Sequence, residues 1–400
     1  MAGAQLLILV ANPGSSSRKY ALYEQTEEGL ISRSSVNIET SDQGIIGTLI
    51  RGDEPRQTID LDFTDVSESS RHIEQILRDA GALKEKEHID AIGIRVVAPG
   101  SYFMHDRTVD DEFTEQLQNA KSVAPIHVSG TLAELSSLQE RFADIPVVAI
   151  SDSAYHATKP PYAWNYGLPI HDADQYDIKR FGYHGISVQG VVDALWDAGK
   201  LPPKVIVCHL GSGSSVTAVF HGRSIDTTMG YSPLEGVLMA TRVGSIDLTA
   251  VTVLQKKLGK TDEEMQDYLN HSSGLLGIGQ SADIRELIER ESAGDHLAHL
   301  ALTTLVHTYH KAIGQMLVTL GGADAIIFTG TVGERSAILR RRIVAHLAFA
   351  EFHLDGDVND ATLNPERLTV ISEKATSKPI IVIPANESYE IAKHVTKVLN

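Results

Sequence analysis

Two stretches of the sequence place small polar residues directly after an apolar run, a pattern suited to phosphate binding. The first, LILVANPGSSSRKYALYE at residues 7–24, carries Asn12, Gly14 and three serines before Lys19. The second, VIVCHLGSGSSVTAVFHG from residue 205, repeats this order about half a chain length later. Small side chains let backbone N–H groups and hydroxyls approach phosphate oxygens closely. Glycine and serine are also ordinary hairpin residues, so a structural turn is the alternative, although Asn12 and Lys19 favour a phosphate grip.

A third stretch, DAIIFTGTVGERSAILRRRI at residues 324–343, predicts a strand, a glycine-containing loop and a helix with Ser336 near its start. The N-terminus of a helix presents free N–H groups and the positive end of its dipole, which suits a phosphate or nucleotide. An ordinary strand-to-helix connection has the same sequence pattern, and this pattern more often indicates such a connection than a binding site.

Two arginines and a histidine interrupt apolar or glycine-rich surroundings. Arg95 lies in GIRVVAPGSYF, Arg242 in SPLEGVLMATRVGSID and His184 between two glycines in KRFGYHGIS. A buried guanidinium requires an anionic partner, because an unpaired buried charge is very costly. A ligand is one such partner, and a structural ion pair is the alternative, for which the candidate acids are Asp152, Glu235 and Asp247.

Composition limits the class of protein. The 400 residues allow two domains, and 42% apolar with 22% charged residues is ordinary for a globular protein. A net charge of −17 argues against nucleic acid and anionic membranes as partners. The single cysteine, Cys208, excludes an internal disulfide and is expected to be buried and inert. We expect a cytoplasmic protein, because no apolar run approaches the roughly 20 residues of a membrane span and the N-terminus is unlike a signal peptide.

Several common sites are absent from the sequence. It has no Gly-x-x-x-x-Gly-Lys-Ser/Thr and no Gly-x-Gly-x-x-Gly opening a βαβ unit, so phosphate-loop and dinucleotide folds lose their main support. No cysteine or histidine spacing indicates a protein-bound zinc ion.

Strand and helix patterns alternate along the chain, which predicts an α/β fold. Strands are predicted at 5–11 and 18–24 around the first turn. Amphipathic helices are predicted at 66–79, 110–121, 129–142, 187–198, 246–258, 282–292, 296–320 and, capped by Asn386, 387–399. The two similar turns suggest a duplicated architecture.

Taken together and in order, these segments resemble the acetate kinase family of the actin-like, sugar kinase and Hsp70 superfamily. The matching segments are NPGSSSRKY, RVV, APIH, SDSAYH, RFGYHGIS, HLGSGSS, DTTMGYSPLEGVLMATRVGSID, SGLLGIGQSADIR, FTGTVGE and NESYEIA. The resemblance implies duplicated actin-like (ribonuclease H-like) βββαβαβα domains around a cleft. The first would cover 1–150, completed by the helix 386–400. The second would cover 151–385, with the nucleotide loop and the interface of a homodimer.

The resemblance also implies an activity, namely Mg²⁺-dependent phosphoryl transfer between ATP and acetate, giving ADP and acetyl phosphate, as part of organic acid metabolism and acetyl-CoA formation. Mn²⁺ can substitute for Mg²⁺ in such sites. Small molecules would be its only partners besides a second copy. A carboxylate nucleophile is already ionised near neutral pH, so catalysis needs positioning and charge neutralisation rather than a general base.

Site residues carry over by position. The catalytic set is Arg95, Asp152, His184 and Arg242, in which the arginines grip the carboxylate and the phosphoryl group, His184 donates to phosphoryl oxygens, and Asp152 orients an arginine. The substrate set is Arg95, Val97, Ile126, His127, Tyr183 and Pro233. The nucleotide and phosphate set is Ser15, Ser17, Lys19, His209, Gly211, Ser212, Gly213, Asp283, Ile284, Arg285, Gly330, Thr331, Val332 and Gly333. Asn12 and Glu387 would hold Mg²⁺, largely through water.

The sequence departs from the family pattern at several positions. On the catalytic wall these are Ile94, Ala98, Pro99, Gly100, Val128, Ser151, Ile186 and Val188. On the donor side, Ser212 replaces an asparagine, Thr331 a glycine and Arg335 an asparagine, which leaves pyrophosphate as an alternative donor. Propionate is an alternative substrate, because one methylene changes binding by only about 1–3 kcal/mol. An actin-like or chaperone-like nucleotide switch is the alternative from another class of function.

Overall fold

The computed structural model describes residues 6–14, 17–41, 44–52, 54–121 and 124–399, with side chains for all of these except 41 and 125–127. The chain divides into two compact units. The first comprises Met1–Ala154 with Asn386–Asn400, and the second comprises Tyr155–Ala385.

Within the described residues, the first unit is built on a sheet of eight strands in the order β5-β4-β3-β2-β1-β6-β8-β7. Their bounds are β1 (Leu6–Pro13), β2 (Ser17–Thr26), β3 (Gly29–Ser41), β4 (Gly44–Ile50), β5 (Gln57–Ile59), β6 (Ala91–Val96), β7 (Arg107–Thr108) and β8 (Val147–Ser151). β1 is antiparallel to β2 and parallel to β6, and β6 is parallel to β8. The continuous apolar run of β1 reflects this central place, because Ile8, Leu9 and Val10 are all buried.

Among the described residues, three α-helices connect strands of the first unit: α1 (Ser69–Asp79), α2 (Asp111–Lys121) and α3 (Pro125–Arg141). Ile73 and Leu77 of α1 and Leu135 and Leu138 of α3 are buried in the same apolar core as β1. Helix α3 begins four residues before the predicted start at 129, since a proline is well suited to the first turn of a helix.

The second unit has, in the part of the chain described, a sheet of six strands in the order β11-β10-β9-β12-β14-β13. Their bounds are β9 (Lys204–Leu210), β10 (Ser214–Phe220), β11 (Arg223–Thr227), β12 (Ala325–Thr329), β13 (Thr369–Val370) and β14 (Ile380–Val382). Here β9 is antiparallel to β10 and parallel to β12, and β12 is parallel to β14. The row β11-β10-β9-β12-β14 therefore repeats the order and directions of β3-β2-β1-β6-β8, and the predicted duplicated α/β architecture is confirmed.

The helices of the second unit are α4 (Pro161–Trp164), α5 (Ile170–Gln175), α6 (Gly185–Asp197), α7 (Leu248–Leu258), α8 (Asp262–His271), α9 (Gly274–Gly279), α10 (Ile284–Ser292), α11 (His296–Leu320), α12 (Gly330–Arg335), α13 (Ala337–Val344) and α14 (Gly356–Ala361). The longest, α11, starts at an Asp295 cap and ends at Gly321, whose φ is +62°. No helix in the described part of the chain combines the length and apolarity that a bilayer crossing requires.

The last helix, α15 (Glu387–Leu399), belongs to the first unit. It packs on β6 at Gly93, where a Cβ atom would lie 2.6 Å from Val395 and 2.8 Å from Ile391. Only glycine lets the helix approach the strand this closely. The packing holds Glu387, at the start of α15, within the first unit.

One local prediction was wrong. The loop predicted after the strand near 329 is instead the short helix α12, which begins directly at Gly330. Ser336, predicted near the start of a helix, caps α13, and its hydroxyl accepts a hydrogen bond from the amide of Leu339 at 3.4 Å. The glycine at 330 has a φ of +80°, which lets the chain turn from strand into helix without a loop.

Candidate active site

Four polar side chains meet within the first unit, and we call them the carboxylate–arginine cluster: Asn12, Arg95, Asp152 and Glu387. Asn12 lies near the end of β1, Arg95 near the end of β6, and Asp152 directly after β8. Because these three strands are parallel neighbours in the order β1-β6-β8, their carboxyl ends lie at one edge of the sheet. The start of α15 adds Glu387.

Hydrogen bonds join the members of this cluster. Arg95 Nη2 donates to Asp152 Oδ2 at 2.9 Å, and Arg95 Nη1 lies 3.3 Å from both Asn12 Oδ1 and Glu387 Oε2. The amide of Asn12 donates to Glu387 Oε2 at 2.8 Å. Asp152 is only 1% exposed. The predicted ion pair between Arg95 and Asp152 therefore exists, and it brings two predicted catalytic residues beside both predicted metal ligands.

The charge of Arg95 is secured by its neighbours. Burial by itself lowers the pKa of this guanidinium, but the attraction of Asp152 and Glu387 outweighs burial and raises the pKa above its ordinary value. Among the described residues, the buried Nε of Arg95 has no hydrogen-bond partner. A permanent cation whose Nε–H is unused is suited to an anionic ligand.

Gly14 directly follows β1 and Ser17 begins β2, and we call these two residues the ends of the phosphate turn. The Gly14 amide donates to the Ser17 carbonyl at 2.8 Å, which closes the turn. Lys19 pairs with Asn12 across the two strands, and its side chain is exposed. Ser15 lies outside the described residues.

In the second unit, six residues form what we call the histidine–glycine cluster: His184, His209, Gly211, Gly213, Arg242 and Gly330. The rings of His184 and His209 stack at 4.1 Å between centroids. Each ring is held through its Nδ1 atom, His184 by the Ser215 hydroxyl at 3.0 Å and His209 by the Ser187 hydroxyl at 2.9 Å. His184 caps α6 in a left-handed conformation with φ of 62°.

The glycines of this cluster are close to its charged and polar atoms. A Cβ on Gly213 would lie 3.1 Å from His184 Nε2 and 3.2 Å from Arg242 Nη1. A Cβ on Gly330 would lie 2.6 Å from the Leu210 carbonyl and 3.1 Å from His209 Nε2. The glycine turn between β9 and β10, the two histidines and Arg242 therefore occupy one small region.

The structure also shows what holds Arg242 and what the other candidate acids do. Arg242 Nη1 donates to the Pro233 carbonyl at 3.5 Å. Asp247 accepts hydrogen bonds from the first amides of α7, and so acts as a helix cap. Glu235 accepts a hydrogen bond from the Tyr166 hydroxyl at 2.5 Å and lies 3.4 Å from Arg180.

The remaining substrate residues lie in both units. Tyr183 is buried, and its hydroxyl donates to the Tyr231 carbonyl at 2.7 Å. Pro233 is also buried, whereas Val97, directly after β6, is half-buried. Ile126 and His127 lie in the first turn of α3, and their side chains are outside the described residues.

A small, mainly apolar crevice lies within the second unit beside the glycine turn. Its lining includes Gly211, Ile284 and Val332, all predicted to contact the nucleotide, and it adds Met239 and Tyr309. Neither Met239 nor Tyr309 is predicted from the sequence, because a buried methionine and a buried tyrosine in a helix look like ordinary core residues.

The other predicted donor-side residues lie at the surface or at helix ends. Asp283 caps α10 and pairs with Arg285 at 2.6 Å, and this pairing lowers the pKa of the carboxyl group. Ser212 and Thr331 are exposed, and Gly333 is buried within α12. The guanidinium of Arg335, predicted to add charge to the nucleotide loop, donates to Asn364 Oδ1 at 3.0 Å.

Residues that hydrogen-bond to the site residues and hold them in place were not predicted from the sequence either. Ser187 and Ser215 orient the two histidines, and their only sequence signal is that they stand within the glycine–serine segments already quoted. Arg340 is fully buried and donates to the carbonyl oxygens of Gly333 and Glu334 at the end of α12. An arginine in a run of three gives no sign of which one is buried.

The chain is similar to known proteins over nearly its whole length. The profile of the Acetokinase family matches residues 7–393. A Methanosarcina mazei protein named acetate kinase is 36% identical over 397 residues, which cover 98% of this chain and 96% of that protein. Among solved structures, a Porphyromonas gingivalis acetate kinase has a TM-score of 0.86 at 28% identity, covering 99% of this chain and 100% of that one. A Francisella tularensis propionate kinase has a TM-score of 0.87 at 32% identity, covering 97% and 98%.

These matches extend over both units and over every segment that contributes to the two clusters. The fold is therefore the duplicated actin-like fold, and the chain belongs to the acetokinase family.

Proposed function

We propose that this protein is an acetate kinase, which transfers a phosphoryl group reversibly between ATP and acetate and forms ADP and acetyl phosphate. The proposal rests on one observation above all, the match to the acetokinase family along residues 7–393. The two clusters supply the groups that such a reaction needs. These are fixed cations, neutral hydrogen-bond donors and glycine turns, and no general base is required for a carboxylate nucleophile.

In the carboxylate–arginine cluster, Arg95 binds and orients an anion. Its Nη2 is held by Asp152 at 2.9 Å, so the plane of the guanidinium is fixed before a ligand arrives. Asp152 is therefore proposed as the residue that orients Arg95 and keeps it charged. Preorganised charge of this kind stabilises a transition state without reorganising during the reaction.

The same cluster offers a small set of oxygen ligands for Mg²⁺. Asn12 Oδ1 and the Glu387 carboxylate are hard oxygen donors and lie side by side. No cluster of three or more His, Cys, Asp or Glu side chains suited to a metal ion occurs among the described residues. Mg²⁺ commonly uses one or two protein ligands and completes its shell with water and phosphate oxygens, so the two residues fit it. When bound, Mg²⁺ or Mn²⁺ would neutralise phosphate charge.

In the histidine–glycine cluster, Arg242 and His184 are proposed to donate hydrogen bonds to the oxygens of the transferring phosphoryl group. Gly211 and Gly213 leave room for phosphate oxygens beside both side chains, because any Cβ at 213 would crowd them. His209 and Gly330 border the same turn. Ser15, Ser17 and Lys19 are proposed to contact phosphate from the first unit.

ATP is the donor that we propose, and pyrophosphate is the alternative. The apolar side chains around the small crevice, among them Ile284 and Val332, favour a donor with a planar base, because pyrophosphate has no apolar group to contact them. Arg335 donates to the neutral amide oxygen of Asn364, which fixes the guanidinium in place without neutralising its charge.

Propionate is the alternative acceptor, and the similarity to a propionate kinase makes it a specific one. We propose that Val97, Ile126, Tyr183 and Pro233 surround the methyl group, with His127 nearby. The alternative from another class of function is a nucleotide switch, which has no carboxylic acid substrate. Such a switch would give no role to Arg95 and Arg242.

The proposal extends to the oligomeric state and the cellular location of the protein. We propose a homodimer joined through the second unit. Sedimentation of the purified protein tests this point. We propose the cytoplasm as the site of action, where the co-substrate ATP is available, and acetyl phosphate as the link to acetyl-CoA formation.

The test is an acyl phosphate assay with hydroxylamine trapping. Acetate and propionate are each combined with ATP and with pyrophosphate, in the presence of Mg²⁺. We expect most product from acetate with ATP. The Arg242→Ala variant should lose most turnover, whereas Arg223→Ala, an exposed arginine on β11, should match wild type. Hydrolysis of ATP without any acyl phosphate would instead support the switch.

A further inference from the structure

A buried ionic network lies directly behind the phosphate turn, and the proposed function gives it no role. Arg18 follows the turn in β2 and is 6% exposed, while Glu134, in α3, is 2% exposed. Arg18 Nε donates to Glu134 Oε2 at 3.0 Å. The hydroxyl of the buried Tyr20 donates to the other carboxylate oxygen of Glu134 at 2.6 Å. Both oxygens of this carboxylate are therefore engaged.

The guanidinium of Arg18 also holds the turn itself. Its Nη1 donates to the carbonyl of Gly14 and, at 3.1 Å, to the carbonyl of Ser17. The Gly14 amide donates to the same Ser17 carbonyl at 2.8 Å, so Arg18 and this backbone hydrogen bond hold the same two residues. One planar side chain thus ties both ends of the turn to α3 through Glu134. Lysine, a point charge on a flexible stem, cannot make this set of bonds.

The ion pair between Arg18 and Glu134 is not needed for the stability of the core. Burial raises the pKa of Glu134, and hydrogen bonds from Tyr20 and Arg18 act against this rise. Replacing a buried ion pair with apolar residues is often neutral or stabilising. Stability alone therefore does not account for the pair, whereas its bonds to the Gly14 and Ser17 carbonyls fix a geometry that apolar side chains could not fix.

We propose that Arg18 is a positioning residue that presets the phosphate turn for the donor, and that Glu134 and Tyr20 hold its guanidinium in place. This inference rests on the proposed function, in which the turn contacts the phosphates of ATP. It goes beyond that function because Arg18, Glu134 and Tyr20 touch no substrate themselves.

The test removes both charges at once, because a single substitution would leave an unpaired buried charge and can prevent folding. In Arg18→Met/Glu134→Met, we expect the KM and the Kd for ATP to rise about 10- to 100-fold, the effect of a misplaced positioning group. The KM for acetate should stay within about twofold of wild type. A residue needed only for folding would not separate the two KM values.

The matched control is Arg33→Met. Arg33 pairs with Glu24 at 2.8 Å and Glu87 at 2.6 Å, in the same sheet but at the far end of β2 from the turn. Its loss removes a partly buried ion pair without touching residues 14–17. We expect both KM values of this variant to equal those of wild type.

Hydrogen exchange of the peptide spanning residues 13–20 supplies a readout that does not depend on activity. The double variant should exchange faster there than wild type, and Arg33→Met should not. Unchanged exchange, or faster exchange with unchanged ATP affinity measured by calorimetry, would overturn the proposal. Should wild type form no acyl phosphate, the proposed function fails, while exchange and ATP affinity still decide the role of Arg18.

Discussion

Replacing Gly330 with alanine tests the geometry of the histidine–glycine cluster most directly. The backbone at Gly330 has φ of +80°, which costs a residue with a Cβ atom about 1–2 kcal/mol. The new Cβ would also lie 2.6 Å from the Leu210 carbonyl, and such overpacking costs about 1–3 kcal/mol. Gly330→Ala should therefore lower the free energy of unfolding by about 2–5 kcal/mol. For a unit of this size the Tm should fall by roughly 4–20 °C.

A second glycine separates the two contributions. Gly259, just after α7, has a similar φ of +66°, but a Cβ there would meet nothing within 4 Å. Gly259→Ala should therefore show only the backbone cost of about 1–2 kcal/mol. Urea unfolding followed by circular dichroism measures both variants. If Gly330→Ala costs no more than Gly259→Ala, the close approach of Gly330 to Leu210 is refuted.

The same pair of variants reports on function. The Cβ at position 330 would also lie 3.1 Å from His209 Nε2, so the start of α12 or the histidine must shift. We expect the KM for ATP to rise by about 10-fold in Gly330→Ala, because small displacements of positioning groups weaken ligand binding. Gly259→Ala should keep the KM of wild type. An unchanged KM in both would remove Gly330 from the nucleotide site.

Three further predictions follow from single side chains. Arg242→Lys should lower kcat about 10²- to 10³-fold in the hydroxylamine assay, because a point charge replaces a fork of donors, and unaltered thermal unfolding would show that the fold is intact. Burial lowers the pKa of Lys159 to about 8, whereas in the unfolded chain the amine keeps its ordinary pKa of 10.5. Between these two pH values the unfolded chain therefore binds more protons than the native protein, and the free energy of unfolding rises with pH. Lys159→Met should abolish this rise, of at most about 3 kcal/mol, in urea titrations, and an identical pH profile would contradict the burial of Lys159. Burial also raises the pKa of the Cys208 thiol, so a thiol reagent should label the protein only after denaturation, and rapid labelling of the native protein would contradict its place in β9.

Much of the fold could be predicted from the sequence because its signals are local. Apolar runs such as that of β1 predict central strands, and helical periodicity predicts α11, close to its observed bounds. The recurrence of a glycine–serine turn indicated duplication, and the two sheets repeat one strand order. Helix α12 was missed because it is too short for periodicity to distinguish it from a loop.

The candidate site could be predicted by type but not by arrangement. Sequence order gave Arg95, Asp152 and Glu387 as separate candidates far apart in the chain. Their meeting depends on the order β1-β6-β8 and on the packing of α15 against Gly93, which are properties of the assembled sheet. The sequence left three acids as possible partners of the two arginines. In the fold, Asp152 pairs with Arg95, whereas Asp247 caps helix α7.

The sequence by itself determined the fold class, the duplicated turns and the types of residue available for binding phosphate. Only the tertiary structure decided that Arg18 lies buried against Glu134. The alternation of side chains in β2 predicts which face of the sheet a residue lies on, but not which element packs on that face. Local patterns are set by neighbours a few residues apart, whereas the partner of a buried charge comes from a segment more than a hundred residues away, which only the packed fold brings near.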